Sequence, residues 1–165
     1  MKIISGRAVV IREANVDTDV LYPGAYLNVT DIEEMTRYLF EGLDPALRDQ
    51  LDGDTVLVVG RNFGAGSSRE HVPQAMKAPG VRALVGESFA RIFYRNCINL
   101  GLPAFLNAEA AAAAEPGSAI EIDAGGTISV DGTRFEAPAL PPFMQDLLER
   151  GGLEGWVRTQ VAAGR

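Results

Sequence analysis

The sequence predicts an α/β domain built on a parallel central sheet, with an added β section towards the C-terminus. Three observations predict it. Residues 55–59 (TVLVV) and 81–85 (VRALV) are apolar runs of strand length, and residues 102–106 (LPAFL) make a third. Such runs suit strands buried on both faces. Capped helical stretches lie between them, so the middle of the chain reads β-loop-α-β-α-β, the order of a parallel sheet with crossover helices. Downstream, residues 120–123 and 127–136 alternate apolar and polar side chains, and Asp131-Gly132 marks a two-residue hairpin turn.

Each element has its own local reason. Residues 3–11 (IISGRAVVI) are rich in β-formers and read as the first strand. A polar stretch, residues 12–19, carries Glu13, Asp17 and Asp19 and reads as a loop that is either solvated or lines a site. Pro23-Gly24 is a turn signal. Thr30 followed by Glu33 forms a capping box for a helix with Ile32, Met35 and Leu39 on one face, stopped by Gly42. Ser67 or Ser68 is expected to cap a helix running to about residue 77. Ser88 is expected to cap another from residue 89 to about residue 99, ended by Gly101. Residues 108–114, nearly all alanine, read as a short solvent-side helix or connector. Pro142 opens a last helix that stops at Gly151-Gly152. No repeat or linker interrupts the chain, and residues 1–165 read as a single domain.

Composition removes whole classes of function. The 165 residues include one cysteine and one histidine. One thiol makes no intrachain disulfide, one Cys and one His do not close a tetrahedral zinc site, and neither suffices for an iron–sulfur cluster. The net charge of −7 argues against a nucleic-acid partner, which needs a cationic footprint. No apolar stretch is long enough to span a bilayer, and the N-terminal apolar run is broken at once by Ser5, Gly6 and Arg7. The expected setting is the cytoplasm, with no membrane contact.

The stretch that carries chemistry is residues 59–70, V-G-R-N-F-G-A-G-S-S-R-E. Its glycines allow left-handed backbone and close approach to a ligand. Ser67, Ser68 and Arg69 offer two hydroxyls and a guanidinium at what reads as a helix start, an arrangement suited to a small anion. Neither phosphate motif fits: there is no G-K-[ST] sequence, and Gly64-x-Gly66-x-x is followed by Arg69 instead of a third glycine. A glycine turn capped by serine explains the local pattern equally well.

The pattern N-F-G-x-G-S-S-R-E-H, followed by E-S-F-A-R-I-F-Y-R-N and G-L-P, resembles the small (swivel-domain) subunits of the aconitase superfamily, of the compact 3-isopropylmalate dehydratase and homoaconitase type. N-V-D-T-D at residues 15–19 and the segment at residues 22–27 extend the match over most of the chain. The resemblance implies an aconitase-type swivelling β/β/α domain and a heteromeric hydro-lyase that isomerises 3-isopropylmalate and 2-isopropylmalate by dehydration and rehydration in leucine biosynthesis.

It implies Ser67 as the base that takes the substrate's proton, supported by Thr18 and Asp19. Gly66, Ser68 and Arg69 hold a substrate carboxylate, and residues 23–30, including Tyr26 and Leu27, read its variable group. The 4Fe-4S cluster is carried by a separate large subunit, in a heterodimer or heterotetramer, and this chain binds no metal. The substrate is a small dicarboxylic or tricarboxylic hydroxy acid. Ala65 stands where many relatives carry Cys.

Two alternatives stand beside that reading. One is a homoaconitase or a methyl-substituted malate hydratase small subunit. The other is a non-catalytic module that binds small anions. Of the remaining residues, His71 reads as a hydrogen-bonded structural histidine and Cys97 as a buried, inert thiol. Arg91 and Arg95 read as support for the cleft or the subunit interface, or as surface charge.

Overall fold

The computed structural model describes residues 2–164. β1 (Ile4–Ile11), β2 (Thr55–Val59), β3 (Ala83–Gly86) and β4 (Ala104–Leu106) run parallel to one another. β5 (Ala119–Ile122), β6 (Ile128–Val130) and β7 (Thr133–Phe135) add antiparallel strands on the other side of β1. The seven strands form one sheet in the order β4-β3-β2-β1-β5-β6-β7. The added β section is therefore continuous with the parallel part. β2 lies inside the sheet and all five of its residues are buried, which explains its unbroken apolar run.

Side chains alternate between two cores. Val9, Ile11, Leu57, Val59 and Leu84 face one, under α1 (Thr18–Leu21), α2 (Ile32–Thr36), α3 (His71–Lys77) and α4 (Arg91–Asn99). Ala8, Val56, Val58 and Val85 face the other, with Ile120, Ile122 and Ile128 from the antiparallel strands and α5 (Ala108–Ala113). α5 is not on the solvent side: Ala110 and Ala111 are buried, and their small side chains let the helix lie close to the sheet. α6 (Pro142–Glu149) lends Met144 and Leu148 to the same core.

Three helix starts differ from the sequence-based expectation. Asp31, not Thr30, caps α2 by accepting from the Glu34 N–H. α2 stops at Thr36, Ile32 is exposed, and the chain folds back through Phe40 at φ 64 so that both Leu39 and Phe40 are buried. α4 starts at Arg91, and Ser88 instead accepts a hydrogen bond from the Asn62 N–H at 2.8 Å. α3 starts only at His71, so neither Ser67 nor Ser68 caps it.

The chain also does not end its helices at Gly151-Gly152. A further helix, α7 (Leu153–Ala162), follows. Gly152, at φ 102, reverses the chain there, and no side chain could replace it, because a Cβ would lie 2.3 Å from the Asn99 carbonyl. Among the described residues no helix is long and apolar enough to cross a membrane.

Candidate active site

The site forms where the connections leaving the C-terminal ends of β1 and β2 meet. β1 has β2 on one side and β5 on the other, so the sheet's connections diverge here, which is where open α/β sheets place their ligands. The two connections are stitched together by backbone. Gly64 and Ala65 donate to the Val16 carbonyl at 2.9 and 3.1 Å, and Thr18 N–H donates to the Ala65 carbonyl at 2.8 Å. This forms an isolated parallel bridge between Asp17 and Ala65. The buried Thr18 hydroxyl then donates to the Ser67 carbonyl at 2.8 Å. Thr18 thus shapes the Ser67 backbone while its own hydroxyl stays out of the opening.

Around Ser67 the polar groups close a triangle. Arg69 Nε donates to Ser67 Oγ at 3.2 Å, and Ser67 Oγ donates to Asp19 Oδ1 at 3.4 Å. Arg69 Nη2 forms an ion pair with the same Asp19 oxygen. Arg69 Nη1 donates to the Tyr22 carbonyl at 2.7 Å, and the Gly24 backbone lies against the guanidinium. The Arg69 side chain is only 14% exposed, whereas that of Asp19 is 61% exposed. The cation is fixed and the carboxylate stands at the opening.

Gly66 has φ +88, and its flat backbone passes over the Asp17 carboxylate, which caps α1 by accepting from the Asp19 N–H. Gly66, Ser67 and Ser68 are all exposed.

A serine hydroxyl is a weak base until a nearby donor or cation stabilises its alkoxide. Arg69 Nε, donating to Ser67 Oγ, is the cationic donor placed for that. The helix-start dipole expected from the sequence is not, since α3 begins four residues after Ser67. Chemically the triangle offers a hydroxyl with a proton acceptor on one side and a cationic donor on the other, that donor being a guanidinium, the group suited to binding a carboxylate.

The remaining sequence-derived residues lie outside this triangle. The Tyr26 ring stacks on Tyr38 at 3.9 Å and is half-buried against the first core, while Leu27 is exposed on the same segment. His71 stacks on the buried Tyr22 at 5.1 Å, so stacking, not a hydrogen bond, holds it. Burial pushes the Tyr22 phenol up, with Tyr38 and Glu34 adding to the shift, and its O–H donates to the Tyr26 carbonyl at 2.8 Å. This ties the 23–30 segment to the residue whose carbonyl holds Arg69.

Asn96 on α4 was not singled out from sequence. Its Nδ2 donates to Ser68 Oγ at 3.4 Å. The signal for it was its half-buried place at the edge of the α4 face that buries Phe93 and Cys97.

No group of three or more His, Cys, Asp or Glu side chains that could hold a metal ion lies among the described residues. Cys97 is buried in the first core and burial pushes its thiol up, so it does not fit as a cluster ligand. A cleft of about 690 Å³ lined by Arg12, Gly60 and Glu87 lies beside the glycine loop and contains none of the triangle's side chains.

Comparison with known proteins identifies the family. The aconitase C-terminal domain family matches residues 8–109. The 3-isopropylmalate dehydratase small subunit of Moorella thermoacetica is 49% identical over 151 residues, covering 89% of this chain and 90% of the relative. The small subunit 1 of the same enzyme from Methanopyrus kandleri is 46% identical over 154 residues, with 92% and 90% covered. The crystal structure of a 3-isopropylmalate dehydratase protein from Methanocaldococcus jannaschii superposes with a TM-score of 0.90 at 33% identity, covering 98% of this chain and 97% of that one. With fold and sequence in accord, the chain belongs to the aconitase C-terminal domain family, among the 3-isopropylmalate dehydratase small subunits.

Proposed function

We propose that this chain supplies the serine half of a two-subunit hydro-lyase that interconverts 3-isopropylmalate and 2-isopropylmalate. The observation that carries the reading is Ser67 Oγ bracketed by Arg69 Nε and Asp19 Oδ1 at an exposed opening. Ser67, as alkoxide, takes a C–H proton while hydroxide leaves the adjacent carbon and a double bond forms between them. Hydroxide then adds to the carbon that lost the proton, and Ser67 gives its proton to the carbon that lost the hydroxyl, which regenerates the alkoxide. Arg69 steadies the alkoxide and binds a substrate carboxylate, and Asp19 accepts the Ser67 hydroxyl in its resting state.

The residues present do not fit a cluster, so the 4Fe-4S group and its Lewis-acid chemistry are assigned to the large subunit. The 23–30 segment, with Leu27 outward, is the part that reads the substrate's side group. The complex is placed in the cytoplasm, a setting that suits a lone reduced thiol.

The test is reconstitution with the cognate large subunit. The pair should isomerise 3-isopropylmalate, and neither chain alone should do so. Ser67→Ala should lower kcat by roughly 10²–10⁴ while binding to the large subunit stays unchanged. A wild-type rate in that variant rejects Ser67 as the base. A panel of homocitrate-type and methyl-substituted malates on the same complex settles the substrate. Turnover of one of these in preference to isopropylmalate would reassign the enzyme.

A further inference from the structure

We infer that the large subunit seats on one continuous surface that runs from Ser68 along the outer side of α4 to a groove beside α7. The inference rests on the small-subunit reading above. α7 is ten residues long and buries none of them fully. It is pinned mainly by Trp156, whose Nε1 donates to Asp146 at 2.9 Å and whose ring meets Phe143 edge-on. A helix of this length is marginal in water without a packed face. Yet Leu153, Val157 and Val161, spaced to share one face, all stand exposed, Val161 at 70%.

Leu153 and Val157 line a groove of about 430 Å³, and the opposite wall comes from Glu70, Asn99 and Leu100. Two routes connect that groove to the site. Glu70 directly follows Arg69 in the chain. Asn96, which donates to Ser68, lies one turn before Asn99 on α4. On the other side of Asn96, towards its start, α4 presents Ile92, 49% exposed, with Arg91 and Arg95, neither of which forms an ion pair among the described residues.

The occupant follows from this continuity. Any body that completes a site open at Ser67 and Ser68 comes down on the outer side of α4, and the groove is the next surface it meets. A second copy is disfavoured: each chain carries −7, and a copy lodged against Glu70 would crowd the opening. The chemistry of the matching surface is apolar opposite Leu153 and Val157 and carboxylate-rich opposite Arg91 and Arg95.

The test measures binding of Val157→Asp, Arg95→Glu and the wild-type chain to the cognate large subunit by biolayer interferometry, with circular dichroism confirming that each free chain is folded. Both variants should bind roughly tenfold or more weakly, the scale of losing one buried anchor. In the wild-type complex, amide hydrogens of α7 should gain protection from exchange relative to the free chain, a readout that needs no variant to fold. Equal binding by both variants, or no gain of protection at α7, overturns the surface. So does a wild-type dimer that Val157→Asp splits without weakening binding to the large subunit, since a second copy would then own the groove. A wild-type chain that binds no large subunit removes the small-subunit reading itself, and this surface with it.

Discussion

Gly66 shows how narrowly single residues are constrained at the site. Its φ of +88 disfavours any side chain, and a Cβ would lie 2.4 Å from Asp17 Oδ2. Gly66→Ala should therefore cost about 1–2 kcal/mol from the backbone alone, read by urea unfolding, and should lower kcat/KM in the reconstituted enzyme. Asp17→Ala removes the collision, and the α1 cap with it, so Gly66→Ala should still destabilise the Asp17→Ala background, though by less than it does the wild type. No loss of stability in that background would mean that the left-handed backbone contributes nothing. Arg69 is constrained in a different way. Its three nitrogens reach Ser67, Tyr22 and Asp19 at once, which the single ammonium of a lysine does not. Arg69→Lys keeps the charge, yet kcat/KM should fall roughly 10²-fold, as when one oriented donor is lost. A change under about threefold would show that charge alone suffices.

At the scale of elements, the hairpin between β6 and β7 carries a pH-dependent tie. Asp131 and Gly132 take φ 49 and 88, a turn whose twist matches the flanking strands. Asp131 Oδ1 accepts from the Ala119 N–H at 2.8 Å and so locks the turn to the start of β5. The Ser118 hydroxyl, then this N–H, and more weakly Arg7, hold the Asp131 carboxyl below its ordinary value. A carboxylate favoured in the folded state adds stability above its unfolded pKa, about 3.9, and loses it as pH falls through the lower folded value. Asp131→Asn should therefore melt below the wild type at neutral pH, with the gap closing as pH falls below about 4. A gap that stays constant into acid would mean that the charge plays no part.

For the whole molecule, one sheet separates two cores, and its strands contribute side chains to both. Loss of β1 or β2 strips both cores together, so the expectation is a single cooperative transition. Cys97 reports on it. The thiol is buried under α4 against the sheet, and burial disfavours its reactive thiolate. Labelling by a thiol reagent should be negligible in the native state, and its denaturant midpoint should coincide with that of circular dichroism. Labelling well before that midpoint would show that α4 opens separately, and with it the support for Ser68.

Much of this protein could be read locally. A buried strand needs only apolar side chains, and a type I′ turn needs only Asp-Gly, so β2, β3 and the hairpin stand close to where their residues alone put them. The serine loop could be read as a site only through the family resemblance, because locally a glycine turn capped by serine accounts for it equally well. Other features depend on partners far along the chain. Ser67 and Ser68 look like helix caps until the Val16 carbonyl and Thr18 hold their loop extended, so that Arg69, not a helix dipole, polarises the serine. Asn96 is an ordinary helical residue until α4 packs beside Ser68. α7 is hidden behind two glycines because its stability comes from Trp156 meeting α6 and not from its own stripe. The sequence by itself determined the strands, the turn and the family. Only tertiary structure decided which groups surround Ser67, because a hydrogen bond between residues 48 apart is set by packing and leaves no periodic mark in the chain.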